Sequence, residues 1–271
     1  MIDVDVLEST ISDNFFYVLR AGGRAVLVDP IDGERAVEHL RQEGLEPVLL
    51  INTHFHHDHI GGNPAVFEAF PEIELVAGAV DADRIDDQQP AGHGVSRRLE
   101  AGDRLEFVGE TLDVLDTPGH TPGHISLSCG SHLFSGDTIF VGGAGNCSFG
   151  GDPGVLFRTF RDVLADLPDD MTFYPGHDYA VRDIEFVLSI EPDNKQAQSM
   201  LERAKQTPER DIFLTTLGEE RAYSPFMRYD EPPLQERLAA EYVSISQAER
   251  ERSDSKDEAA FRTVRELRNR W

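Results

Sequence analysis

The sequence predicts a layered α/β region followed by a helical one, and three observations carry the prediction. Short apolar, β-branched runs alternate with helix-spaced segments as far as Tyr179. Polar residues of ligand type recur at the ends of four of those runs, where sites in layered α/β proteins gather. From Ala180 onward the strands give way to helices, so the chain of 271 residues divides into segments 1–179 and 180–271.

Taken in order, Ile2 to Val6, Asn14 to Arg20 and Ala25 to Val28 read as strands, with Gly22-Gly23 as a hairpin turn. Asp29-Pro30 ends the third, and Asp29 is a candidate to orient a ligating histidine from behind. Ala36, Val37 and Leu40 have helical spacing over 33–43, closed by Gly44. Val48 to Ile51 is a buried strand, and Asn63-Pro64 reads as an N-cap opening a helix to Phe70. Glu74 to Ala77 is a strand, and Asp81 to His93 is a polar loop-like stretch. Strands resume at Arg104 to Val108, Leu112 to Leu115, Ile125 to Cys129 and His132 to Phe134. Asp152-Pro153 caps a helix over Val155 to Leu167, and Thr172 to Tyr174 is the last strand. Helices follow at Ile184 to Ile190, from an Asp193 cap to Lys205, at Pro233 to Tyr242 and at Asp257 to Arg270.

The chemistry concentrates at the strand ends. After Ile51 the chain reads NTHFHHDHIGG, placing His54, His56, Asp58 and His59 within six residues. Several imidazoles and a carboxylate make poor core material, because each buried polar tip needs a partner. A metal ion satisfies them together, and imidazole with carboxylate suits zinc, iron or manganese. One such motif is half a site if two ions bind, so further ligands must come from elsewhere. TPGHTPGH exposes His120 and His124 on two Pro-Gly turns, and spacing does not decide between them. Asp137 follows a strand in SGDT, placed where a carboxylate could bridge two ions, and His177 follows the last strand in PGHDY.

Composition narrows the partners. The formal net charge is −25, with acidic residues spread along the chain, which disfavours nucleic acid and anionic membrane surfaces. Only Lys195, Lys205 and Lys256 are lysines. Heat adaptation enriches Lys as well as Glu, so salt adaptation, in a halophilic archaeon, is the stronger expectation. No signal peptide or membrane span is expected, and two cysteines without paired spacing, Cys129 and Cys147, fit a reducing cytoplasm.

THFHHDH, TPGHTPGH, SGDTIF and YPGHDY, in that order, resemble the metallo-β-lactamase superfamily. EPDN at 191–194, TTLGEE at 215–220 and SPFMR at 224–228 resemble its glyoxalase II branch, the hydroxyacylglutathione hydrolases. That resemblance implies an αββα sandwich over 1–179 and a helical substrate-binding domain over 180–271. It implies one metal on His54, His56 and His120 and another on Asp58, His59 and His177, with Asp137 bridging and His57 and His124 unused. Zinc is the first choice for the two divalent ions, with iron or manganese as alternatives.

The implied reaction is attack by a metal-held hydroxide, kept in place by Asp137 with Asp58 and His59, on the thioester of an S-D-lactoyl thiol. Lactate and free thiol result, a step in methylglyoxal detoxification. Tyr179 matches a family tyrosine at the glutathione moiety, and Arg265 and Arg268 match a basic pair that holds a peptide carboxylate. Where glutathione hydrolases have a cation followed by aromatics, this chain reads Gly145 to Gly150, with Asn146 and Phe149 as the candidate contacts. The absent cation points to a related acidic thiol, such as γ-glutamylcysteine, beside glutathione. The partner expected is thus a small acyl thiol, with the protein a monomer or weak homo-oligomer. The alternative is a persulfide dioxygenase with a single iron, which the lengthened loop after Asp137 also resembles.

Overall fold

The computed structural model describes residues 2–208 and 211–271. Its first sheet is formed by Asp3–Glu8 (β1), Phe15–Ala21 (β2), Arg24–Val28 (β3), Glu46–Asn52 (β4), Glu74–Gly78 (β5) and Val95–Leu99 (β6), hydrogen-bonded in that order. Between them lie Gly33–Glu43 (α1), His57–Ile60 (α2), Asn63–Ala69 (α3) and Ala82–Asp86 (α4). The second sheet takes Arg104–Phe107 (β7), Glu110–Asp116 (β8), Ile125–Cys129 (β9), His132–Gly136 (β10) and Thr172–Pro175 (β13), in the order β13-β10-β9-β8-β7. Ile139–Phe140 (β11) and Gly143–Ala144 (β12) form a small ribbon, and Pro153–Asp162 (α5) precedes β13.

Side-chain alternation builds the layers. In β2, Phe15, Tyr17 and Leu19 face the second sheet, where they meet Val114, Leu127, Phe134 and Tyr174. Phe16 and Val18 face the other way, onto Ala36, Val37 and Leu40 of α1 and Val66 and Phe67 of α3. The outer face of the second sheet, through Leu133 and Phe173, packs on Leu156, Phe157 and Phe160 of α5 and on the C-terminal helices. The result is the αββα order that the resemblance implied.

Those C-terminal helices are Ala180–Ile190 (α6), Lys195–Ala204 (α7), Leu217–Tyr223 (α8), Pro232–Glu241 (α9), Val243–Glu251 (α10) and Lys256–Arg270 (α11). Among the described residues no helix is long and apolar enough to cross a membrane.

Local differences from the sequence reading have local causes. Asn63 is the first helical residue rather than the cap, because its buried amide donates to Asn52 Oδ1 at 2.7 Å. Asn194, not Asp193, caps α7 by accepting the N–H of Ala197 at 3.0 Å. Asp152 does cap α5, accepting from Gly154 and Val155 at 2.8 Å. Helix α8 opens with a Thr216/Glu219 capping box that sequence reading passed over. Strand β6, sequence VSRRL, was also missed, since an exposed edge strand lacks apolar alternation.

Candidate metal centre

The parallel pairings of β3 with β4 and of β10 with β13 bring the C-terminal ends of those strands to one rim. Asp29 leaves β3, the His54 to His59 segment leaves β4, Asp137 leaves β10 and His177 leaves β13. The backbone N–H of Phe15 donates to Gly176 O at 2.8 Å, tying the last of these loops to the first sheet. Close approach is built in at Gly62, where a Cβ would lie 1.8 Å from Pro30 O. At Gly176 a Cβ would stand 2.5 Å from both Asp137 Oδ1 and His59 Cε1, so only glycine fits between these side chains.

Among the described residues, three groups of ligand-type atoms converge there; one, Asp29 with His54 and His59, overlaps the two that match the expected ligand sets. Of those two, His54, His56 and His120 form one, and Asp58, His59 and His177 the other. His56 Nδ1 lies 3.1 Å from His54 Nε2 and 2.9 Å from His120 Nε2. Asp137 stands between the sets: Oδ1 is 3.3 Å from His59 Nε2, while Oδ2 is 3.4 Å from His120 Nε2 and 3.6 Å from His177 Nε2. Exposed His57 takes no part in either set, and His124 stands outside both.

These atoms fit a cation better than they fit one another. Three imidazole nitrogens meeting at about 3 Å can share too few protons to satisfy every lone pair. His59 Nε2 and Asp137 Oδ1 are buried and make no hydrogen bond. The residues present therefore suit divalent metal, with nitrogen and oxygen donors that leave its identity open.

Electrostatics separates the two sets. Burial and the neighbouring rings hold the His54 imidazole well below its ordinary range, and burial pushes His120 down to about 4 against the pull of Asp137. Neutral imidazole is the ligating form. In the second set, burial opposes the His59 cation, but Asp137 and Asp29 outweigh it and raise its proton affinity. His177 is raised likewise, with Asp137 and Asp58 overcoming burial. Burial also opposes the Asp137 anion, yet His59 and His177 together drive it well below the usual carboxylate range. Carboxylates here call for positive charge, which protons or a metal ion can supply.

Outer contacts fix each ring. Asp29 Oδ2 accepts from His59 Nδ1 at 2.9 Å, leaving Nε2 toward the site. Asp29 is itself held by the N–H and hydroxyl of Thr53 at 2.8 and 2.6 Å. The Asn146 carbonyl takes the Nδ1–H of His120 at 2.7 Å, and the Phe149 carbonyl faces His56 Nε2 at 3.3 Å. The loop 145–150 thus touches the ligands through its backbone, with the Phe149 ring 71% exposed beside His56. Tyr179 stacks on His177, ring centres 5.0 Å apart and 10° from parallel.

Arg265 and Arg268 are placed differently from the expectation that they meet a substrate carboxylate. Arg268 bonds the buried carboxylate of Asp183 at 2.7 and 2.5 Å. Arg265 is 4% exposed and donates to the carbonyls of Ala144 and Gly145, because β12 runs beneath α11. Both guanidiniums bond inside the protein, with Arg265 Nε buried and left without a hydrogen-bond partner.

Two residues at the centre give no signal in the sequence, and His124 has a role there other than ligand. Buried Asn14 places Nδ2 3.4 Å from Asp58 Oδ2 and 3.2 Å from His177 Nε2. Asp81 accepts from Thr121 Oγ1 at 2.5 Å and Gly123 N at 2.9 Å, anchoring the loop that carries His120. His124 accepts the N–H of Asp137 at 3.0 Å, with the Thr117 and Thr138 hydroxyls at 2.9 and 3.1 Å from its Nδ1.

Comparison with known proteins agrees with this geometry. The family model of the metallo-beta-lactamase superfamily matches residues 12–177, and that of the hydroxyacylglutathione hydrolase C-terminus matches 178–271. A hydroxyacylglutathione hydrolase of Polaromonas sp. is 38% identical over 265 residues, 95% of each chain. One of Nitrosococcus oceani is 37% identical over 264 residues, again 95% of each. Among solved structures, ETHE1 from Myxococcus xanthus superposes with a TM-score of 0.62 at 26% identity, covering 83% of this chain and 84% of that one. TTHA1623 in a di-iron-bound form gives 0.61 at 26%, covering 82% and 99%.

Proposed function

The chain belongs to the hydroxyacylglutathione hydrolase family of the metallo-β-lactamase superfamily, and from that premise we propose that it hydrolyses S-D-lactoylglutathione or the S-lactoyl ester of a related acidic thiol such as γ-glutamylcysteine. Water adds to the thioester carbonyl carbon, the C–S bond breaks, and the hydroxy acid and free thiol leave. The observation that carries the reading is Asp137, whose two oxygens face ligand nitrogens of both histidine sets.

His54, His56 and His120 would hold one ion, Asp58, His59 and His177 a second, with Asp137 between. A divalent ion bound there acidifies its water and polarises a carbonyl oxygen. The protein's share is to keep lone pairs aimed. Asp29 and the Asn146 carbonyl each take an imidazole N–H on the far side of a ligand ring, and His124 fixes the backbone of Asp137. Tyr179 walls the site beside His177. Cys147 is no candidate nucleophile, because burial pushes its thiol up to about 12.

The test is thioester turnover by protein stripped with chelator and then titrated with zinc, iron or manganese. Restored hydrolysis that saturates at two ions per chain supports the reading, as does a preference between glutathione and γ-glutamylcysteine esters. A single iron, no hydrolysis and oxygen uptake with a persulfide would replace it with the dioxygenase reaction.

A further inference from the structure

An acidic thiol carrier needs a cation at the site, and the two arginines first expected to supply it are occupied. Three guanidiniums surround buried Asp183: Arg268 in direct contact, Arg182 with Nε at 3.9 Å, and Arg265, whose charge also acts on it. One carboxylate cannot neutralise three cations, so positive charge is in surplus there. The surplus is notable in a chain with 50 acidic and 25 basic residues. Arg265 is buried on backbone carbonyls and Arg268 is committed to Asp183, which leaves Arg182 as the exposed member.

Its position connects it to the metal centre. Arg182 Cζ lies 4.5 Å from the centre of the Tyr179 ring. That ring in turn stacks on His177 and meets Phe140 edge-on at 5.4 Å. A guanidinium resting on an aromatic face is partly ordered before a ligand arrives, and its planar fork matches a carboxylate. Asp183 is the only carboxylate within 4.0 Å of Arg182 among the described residues, and it is already bonded by Arg268. Asp13, also near Tyr179, lies 3.4 Å from His177 Nδ1 and makes no ion pair with Arg182.

We propose that Arg182, carried on Tyr179, pairs with a carboxylate of the substrate's thiol carrier, the role that Arg265 and Arg268 are too engaged to fill. This assignment rests on the thioesterase reading. The experiment compares S-D-lactoylglutathione with its dimethyl ester, both carboxylates masked, on metal-loaded protein. The parent protein should favour the diacid about tenfold in kcat/KM. Arg182→Ala should erase that preference through a rise in KM for the diacid, and Arg182→Lys should keep part of it. A preference that survives in Arg182→Ala, or its absence from the parent protein, would overturn the assignment. Turnover of neither ester by the parent would instead overturn the thioesterase reading, and this one with it. Melting temperatures of both variants separate loss of recognition from loss of fold.

Discussion

Replacing Asp29 by Asn tests how the centre is held, because it changes charge and acceptor count while leaving shape almost intact. Asp29 has φ +52°, a left-handed backbone that Asn tolerates and Ala does not, so strain is kept out of the comparison. Its two oxygens accept three donors: Thr53 N, Thr53 Oγ1 and His59 Nδ1. An amide offers one oxygen. If that oxygen turns to Thr53 N, the new NH2 faces His59 Nδ1, moves the imidazole proton to Nε2 and hides the lone pair meant for metal. If it turns to His59, the buried N–H of Thr53 loses its acceptor, at a cost of about 1–3 kcal/mol. Outer partners of this kind are worth about 10–100-fold in metal affinity, or roughly 1.4–2.7 kcal/mol. The loss should fall on metal at the proposed site of Asp58, His59 and His177, while the proposed site of His54, His56 and His120 keeps its affinity. Competition against a chromophoric chelator, with metal content counted at each step, reads both affinities. An Asp29→Asn protein that holds two ions as tightly as the parent would refute the reasoning.

Three further outcomes are expected. Glu220, fully buried and bonded by Gly142 N, Thr215 Oγ1 and the Tyr223 hydroxyl, is pushed up to about 7 from 4.5 by burial. The folded state therefore binds its proton more tightly, so stability on the order of 3 kcal/mol is present below pH 4.5 and lost as pH rises through 7; Glu220→Gln should flatten the fall in Tm between about pH 5 and 8. Arg268→Ala leaves Asp183 buried with only the more distant charges of Arg182 and Arg265 as partners and should cost about 3–5 kcal/mol in denaturant unfolding. Removing Asp183 as well should recover part of that loss. Raising KCl from about 0.15 to 1 M shortens the Debye length from about 8 to 3 Å, so a chain of net charge −25 should gain Tm, and an unchanged Tm would sink the salt-adaptation reading.

What the sequence disclosed and what it hid differ for a physical reason. Side chains that no core would accept disclosed themselves: four ligand-type residues in six positions after Ile51 need a shared partner wherever the chain folds. Asp29 was legible because it ends an apolar run that must lie beside another. His120 and His124 were not separable, since both sit in a PGH turn. What separates them is the bond from Thr117 N to His124 O at 2.9 Å, which draws His124 back beneath Asp137 and leaves His120 facing His56. Asn14 was silent because its partner His177 lies 163 residues away. The arginines of α11 were legible only through the resemblance, as a pair at 265 and 268 that would hold a substrate carboxylate, and no sequence pattern reports that the carbonyl of Ala144 and the carboxylate of Asp183 lie against them. Burying a cation demands a partner whose position only the fold supplies. The same argument, run outward, makes Arg182 informative: its neighbouring carboxylate is already claimed, and its own charge is left at the surface over the ring of Tyr179.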